Sequence, residues 1–102
     1  MPGRLATALP ACLRTIDPRG LDPGRYLLWG MLVDAAEALV IGPVDPWRDD
    51  ETVAREIRDW VLAEDPGWPF SFVNACAALA LDPTGLRVEL APWLEIASRP
   101  FA

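Results

Sequence analysis

Residues 69–93, PFSFVNACAALALDPTGLRVELAPW, decide the fold because they contain two consecutive helix starts separated by one short turn. Ser71 can accept hydrogen bonds from the free N–H groups of a first helical turn, and an apolar run follows it. Asp82 repeats this N-cap signal, and Pro83 suits the first helical position, where its missing N–H is not needed. We therefore predict helices at about 71–80 and 83–91.

Two short helices joined by a tight turn are typical of helix-turn-helix proteins, whose second helix lies in the DNA major groove. The small residues Ala75 and Cys76 stand where such helices approach closely, and Ala80 occupies the turn position at which glycine is usual. Small helical domains that bind no DNA are built in the same way. The stretch thus predicts the architecture and leaves the function open.

Two more helices are predicted upstream. Asp22-Pro23 repeats the signal of a cap followed by proline and begins a helix at about 23–41 that is apolar on nearly its whole circumference. Such a helix is either central in the fold or part of a dimer interface. The helix at about 50–64 is amphipathic, with most of its charged residues on one side. The sequence therefore predicts an all-α domain of four main helices, with a helix-turn-helix-like C-terminal pair.

We divide the chain into an irregular N-terminal arm at 1–22, a single helical domain at 23–98 and a tail at 99–102, with the helix pair at 71–91. The arm contains a possible helical turn, limited by Pro10, whose apolar residues either pack on the domain or reach a partner. These apolar residues are Leu5, Leu9, Leu13 and Ile16.

Prolines set two further expectations. Pro92 removes an N–H and clashes with the carbonyl four residues back, so we expect the last helix to break or kink near 89–91, with a separate short turn at 92–96. Residues 65–69, DPGWP, form a rigid turn that Trp68 and Phe70 are expected to staple to the core.

The charge balance bears on the class of partner. The chain has 15 acidic and 9 basic residues, a net charge of −6, and its acids are concentrated in residues 44–65. A free-standing DNA-binding domain normally carries a positive field, because neutralising phosphates supplies most of its non-specific affinity. The balance argues against tight DNA binding by a monomer. No apolar run approaches the ~20 residues that cross a bilayer, so no membrane contact is expected.

Residues for catalysis, metal binding or cofactor binding are not indicated. The chain lacks histidine, which is the commonest general base and metal ligand. Cys76 is interpreted as a small core residue and Cys12 as an incidental thiol, and a disulfide requires that the fold bring them together. We therefore expect no enzyme, no metal and no cofactor. Since no signal peptide is evident, a cytoplasmic location is expected.

From Tyr26 to Trp93 the chain resembles a family of small uncharacterised bacterial helical proteins whose hallmark reads approximately DWPFSFENVCEALGLDPDYLRRGLRRW. The shared pattern, WPFSFxNxCxALxLDPxxLR, occupies residues 68–87, and Leu90 and Trp93 also match. The resemblance implies a helix-turn-helix-like domain with a regulatory role. The family has no established activity that the resemblance could imply. This chain also departs from the family, because the last helix is basic there and has Arg87 as its only nearby cation here.

Two functional hypotheses follow. The first is a DNA-associated transcription regulator, a homodimer through the apolar helix at 26–40, with Asn74, Thr84 and Arg87 nearest the duplex. The second is an acidic protein-interaction module that keeps the scaffold, has lost DNA binding and docks a protein through the last helix. The residues expected at its partner or dimer surface are Trp29, Met31, Val88, Leu90, Trp93 and Leu94.

Overall fold

The computed structural model of the chain describes residues 9–40 and 50–97. Within these two ranges the protein is all-helical and has no strand, which confirms the predicted class. A single helical turn and a short 3-10 turn, Pro18–Gly20, precede four longer helices. We number the α-helices α1 (Ala11–Arg14), α2 (Pro23–Val40), α3 (Asp50–Leu62), α4 (Phe72–Ala78) and α5 (Pro83–Ala97).

The starts of three helices are fixed by the side chains that the sequence predicts as caps. Ser71, which is 2% exposed, accepts a hydrogen bond from the backbone N–H of Asn74 at 3.2 Å and caps α4. The carboxylate of Asp82 caps α5 by accepting hydrogen bonds from the backbone N–H groups of Thr84 and Gly85, each at 3.2 Å. Asp22 caps α2 by accepting from the N–H of Arg25 at 2.8 Å. These local bonds set where each helix begins.

The turn between α4 and α5 closes through a left-handed residue that is not glycine. The N–H of Leu81 donates to the carbonyl of Cys76 at 2.8 Å, and the N–H of Ala80 donates to the carbonyl of Ala77 at 3.2 Å. This pair of bonds is the Schellman arrangement, which requires a positive φ at Ala80, observed at 58°. An alanine there costs roughly 1–2 kcal/mol, and the sharp reversal it permits lets α5 pack back on α4.

The core is built around α2, which packs against α3, α4 and α5. The central-helix alternative predicted for this segment is therefore the arrangement in the structure. Small residues allow close approach, since Ala36, Ala75 and Cys76 are each 1% exposed or less. Among the side chains of the described ranges that are less than 2% exposed, the largest are Phe72, Leu13, Leu86 and Val61.

The described part of the N-terminal arm packs on the domain. Leu13 is 1% exposed and belongs to the central cluster, and Leu9, Cys12 and Ile16 pack against that cluster. Leu5 lies outside the described residues. Of the two alternatives for the apolar residues of the arm, packing on the domain is the one observed for Leu9, Leu13 and Ile16.

The last helix does not break at Pro92, so the expectation of a break with a separate turn at 92–96 is wrong. α5 continues to Ala97, with Leu86, Leu90, Leu94 and Ala97 on its buried face. Pro92 lies on the exposed side of the helix and has no N–H to donate to the carbonyl of Val88. Because Val88 is 67% exposed, water can hydrate that carbonyl instead. Burying Leu94 and Ala97 beyond the proline offsets the roughly 3 kcal/mol that an interior proline costs.

Pro92→Ala should raise the free energy of unfolding by about 2 kcal/mol, because it restores a helical hydrogen bond while the unfolded chain gains some entropy. Urea unfolding followed by circular dichroism measures the change. Pro83→Ala is the matched control, since proline suits the first helical position, and it should leave stability unchanged or lower it by up to about 1 kcal/mol. Equal stability of the wild type and Pro92→Ala would instead indicate a helix that ends before residue 92.

Candidate functional site

Arg87, a predicted DNA contact, lies at the C-terminal end of α3. Its Nε donates to the carbonyl of Val61 at 2.8 Å, its Nη2 donates to the carbonyl of Ala63 at 3.3 Å, and its Nη1 pairs with Glu64. The guanidinium carbon also lies 5.1 Å from the centre of the Phe72 ring. Because the last carbonyls of a helix lack internal donors, these bonds hold α5 against α3. The guanidinium is thus engaged within the chain.

Of the other two predicted DNA contacts, Asn74 is bonded within the chain and Thr84 is exposed. The Nδ2 of Asn74 donates to the carbonyls of Pro66 at 2.9 Å and Trp68 at 2.7 Å, so its amide points into the chain. Thr84 is exposed in the first turn of α5. Two of the three predicted contacts are therefore occupied by structural bonds.

The arginines of the described ranges are largely paired with neighbouring acids. Ion pairs join Arg19 to Asp17, Arg25 to Asp22, Arg58 to Asp59 and Arg87 to Glu64. Arg25 also donates from Nε to the carbonyl of Ala78 at 2.9 Å, at the C-terminal end of α4. Local pairing of this kind leaves little positive field for phosphate groups.

The partner surface predicted along the last helix is not continuous. Leu90 and Leu94 are 2% and 7% exposed and belong to the core, which corrects their assignment to a surface. Val88 is exposed and Trp93 is half-buried on the same helix. On α2, Trp29 and Met31 are also half-buried. Among the described residues, the indole N–H of Trp29 is buried and has no hydrogen-bond partner.

A different apolar surface is formed by residues 65–70, which we call the aromatic turn. Trp68 is 48% exposed and Phe70 is 42% exposed, and their rings lie edge to face with centres 6.2 Å apart. The expectation that these two residues staple the turn to the core is wrong. Phe72 takes the buried position instead, and Trp60 packs edge to face on it at 5.5 Å.

The backbone of the aromatic turn is held at three carbonyl oxygens. Asn74 bonds those of Pro66 and Trp68, and the indole N–H of Trp60 donates to the carbonyl of Phe70 at 2.9 Å. Both donors come from helices on either side of the turn, α3 and α4. The two exposed rings are therefore carried by a backbone that is fixed before any partner arrives.

One groove beside the turn is acidic. It has a volume of about 390 Å³ and lies where α2, α3 and the aromatic turn meet. We call it the acidic groove, because Asp34 from α2 and Glu56 from α3 are the ionisable side chains among its described lining residues. Its remaining lining residues are Met31, Ala35, Ile57, Trp60 and Trp68.

A second groove lies on the Phe70 side of the turn and is electrically neutral. It has a volume of about 580 Å³, and Leu27, Leu28 and Pro69 contribute to its apolar lining. Its two charged residues, Asp22 and Arg25, pair with each other at 2.8 Å. The hydrogen bond from the backbone N–H of Arg25 lowers the pKa of the Asp22 carboxyl. We call this the neutral groove.

The two thiols are poor nucleophiles. Burial raises the pKa of the Cys76 thiol to about 11. Burial, followed by the nearby Glu89 carboxylate, also raises the pKa of the Cys12 thiol, whose Sγ lies 3.9 Å from Glu89 Oε2. Both side chains are therefore protonated thiols near neutral pH. In the described ranges, no three His, Cys, Asp or Glu side chains are grouped as metal ligands, and no helix is long and apolar enough to span a membrane.

Sequence reasoning missed the exposed rings of the aromatic turn and the two carboxylates of the acidic groove. The sequence contained one signal that the rings are exposed. Trp68 and Phe70 lie in a segment with Pro66 and Pro69, and these prolines prevent a helix that could bury both rings. No local signal could place Asp34 beside Glu56, because their proximity depends on how α2 packs against α3.

Arg87→Ala should lower the free energy of unfolding by about 2–3 kcal/mol, because it leaves the end of α3 without its charged donor. Arg87→Lys should recover only part of this loss, since one ammonium cannot reproduce the planar guanidinium. Urea unfolding measures both variants. Arg19→Ala, whose side chain is 89% exposed, is the control and should unfold like the wild type. A fully stable Arg87→Ala would contradict the structural role.

Asn74→Asp should destabilise the protein more than Asn74→Ala at neutral pH, because it places a carboxylate against two carbonyl oxygens. The alanine variant should lose about 1–2 kcal/mol. The repelled carboxyl has a raised pKa in the folded state, so the additional loss should shrink as pH falls and the group becomes protonated. Thermal unfolding across pH measures the difference, with exposed Thr84→Ala as the control. Identical pH profiles for the two Asn74 variants would contradict the two hydrogen bonds of the Asn74 amide.

Comparisons of the chain with protein-family models, with curated proteins and with solved structures find no match. The family resemblance drawn from residues 68–87 therefore stays a prediction, and a functional proposal has to rest on the geometry of the described residues.

Proposed function

We propose that this chain is a non-enzymatic protein-interaction module with a regulatory role, and that it docks its partner through the aromatic turn and the two grooves beside it. The observation that carries the proposal is the pair of half-exposed rings, Trp68 and Phe70, on a backbone held at three carbonyls. We call the aromatic turn together with the acidic and neutral grooves the docking surface.

Exposed aromatic rings on a fixed backbone are suited to binding. Tryptophan is among the residues that dominate interface energies, because a large flat ring loses much water contact when a partner covers it. Ordering a mobile loop costs free energy on binding, and the bonds from Asn74 and Trp60 reduce that cost here. The grooves on both sides of the rings give a partner concave surface to fill.

Several observations favour this proposal over the DNA-associated regulator. Arg87 and Asn74 bond within the chain, and ion pairs neutralise arginines that a duplex would need. In addition, the chain has a net charge of −6, which repels the phosphate groups of a duplex. The chemistry of the described residues also favours binding over catalysis, because the cysteines are protonated thiols and the chain has no histidine.

The proposal is tested by site-specific photocrosslinking in the cell that makes the protein. A benzophenone amino acid replaces Phe70, and in separate control strains it replaces Val88 or Ile96, which are also exposed apolar residues but lie on α5. We expect a discrete protein adduct from position 70 that is absent from both α5 positions. The captured protein, once purified, should bind the wild type and lose roughly thirtyfold in affinity for Trp68→Ala.

Two results would contradict the proposal: the same adducts from positions 70 and 88, or a purified partner whose affinity is unchanged by Trp68→Ala. Fluorescence anisotropy with mixed duplex DNA tests the competing hypothesis on the same preparation. Salt-sensitive duplex binding that a stably folded Thr84→Ala variant loses would support the DNA-associated regulator instead.

A further inference from the structure

The described lining of the neutral groove is apolar and has no net charge, although the whole chain has a net charge of −6. Leu27 from α2 and Phe70 from the aromatic turn contribute to this lining and are 53% and 42% exposed. We infer that the neutral groove binds the same groove of a second copy of this chain, in a two-fold dimer. The inference rests on the proposed interaction function and names the partner.

The neutral groove offers both a cavity and a ring to fill it. Its volume is about 580 Å³, and the half-exposed ring of Phe70 is part of its lining. In a two-fold dimer both copies use the same patch, so the Phe70 ring of each copy can enter the groove of the other. This ring is held in position, because Trp68 packs edge to face on it at 6.2 Å and Trp60 bonds the carbonyl of Phe70.

The N-terminal end of α2 extends this apolar surface. Residues 23–27 are all exposed, although α2 is the helix around which the core is built. Tyr26 and Leu27 are each 53% exposed, and Leu27 lines the groove together with Gly24. Aromatic residues are enriched at protein interfaces, where a partner covers their large surface. The helix that the sequence predicts at a dimer interface therefore keeps an exposed end beside the neutral groove.

The charges of the neutral groove can pair with those of a second copy. Asp22 and Arg25 form an ion pair at 2.8 Å, and their side chains are 53% and 56% exposed. Arg25 donates from Nε to the carbonyl of Ala78 and from Nη1 to Asp22, while its Nη2 has no hydrogen-bond partner among the described residues. A two-fold axis beside this pair lets each Nη2 donate to the Asp22 carboxylate of the other copy. The groove thus meets its own copy with opposite charges in contact.

The net charge of the chain does not prevent this association. Each copy carries −6, but salt screens the repulsion between them with a length of about 8 Å at physiological ionic strength. A strongly charged partner gains little from the neutral groove, because the groove's own carboxylate and guanidinium already pair with each other. The groove is therefore matched to a neutral apolar face, and a second copy presents one.

Sedimentation velocity of the intact chain at physiological salt tests the inference. We expect dimers at protein concentrations up to about 1 mM, where even a dimer with a dissociation constant of that size is populated. Leu27→Glu should weaken association at least roughly thirtyfold, because it places an unpaired carboxylate in the interface. Phe70→Ala should weaken association roughly tenfold, because it empties the groove of the other copy. Circular dichroism confirms that each variant is folded.

Val88→Glu is the matched control, since it adds the same charge at a position on α5 that is 67% exposed. It should dimerise like the wild type. Three results overturn the inference: a wild type that stays monomeric, a dimer that both Leu27→Glu and Phe70→Ala retain, or a dimer that Val88→Glu weakens as much as Leu27→Glu does. The docking proposal then still stands if a different protein is captured from position 70. An absence of any adduct from that position, with the chain itself or with another protein, overturns the docking proposal as well.

Discussion

The last carbonyl oxygens of α3 and α4 need hydrogen-bond donors, and arginines from other helices provide them. Arg87 of α5 bonds the carbonyls of Val61 and Ala63, while Arg25 of α2 bonds that of Ala78. A helix C-terminus carries a partial negative charge, so a guanidinium is favoured there over a neutral donor. Each arginine thereby ties two helices together. The segment between the end of α3 and the start of α4, which includes the aromatic turn, is held in place at one end by Arg87.

This structural use of arginine affects what the protein surface can bind. The chain has 9 basic and 15 acidic residues, and the ion pairs of Arg19, Arg25, Arg58 and Arg87 with carboxylates weaken the positive field at the surface. Carboxylates are in excess, and two of them border the acidic groove. The excess of carboxylates makes the surface of the helix pair poorly suited to a phosphate backbone. Arg25 has both roles, since it bonds the end of α4 and pairs with Asp22 in the lining of the neutral groove.

Local signals predicted most of the fold. Ser71, Asp82 and Asp22 cap the helices where expected, because a cap depends on residues only two or three positions away. Predictions failed where the local structure depends on packing between residues that are far apart in the sequence. Pro92 stays helical because Leu94 and Ala97 are buried beyond it, which the local penalty for proline does not reveal. The docking surface was likewise missed, since it requires knowing which face of α2 lies against α3 and that Phe72, not Phe70, enters the core.

The pattern WPFSFxNxCxALxLDPxxLR can now be read residue by residue in this structure. Ser71 and Asp82 cap helices, Phe72 and Cys76 fill the core, and Asn74 and Arg87 bond backbone carbonyls. These residues build the turn and the helix pair, whatever the domain binds. Two proteins that share the pattern are therefore expected to share the architecture, but not necessarily the binding partner. Trp68 and Phe70 differ from them, because about half of each side chain remains exposed and the core does not require it. Within the pattern, these two rings are therefore the residues through which a binding function is best explained.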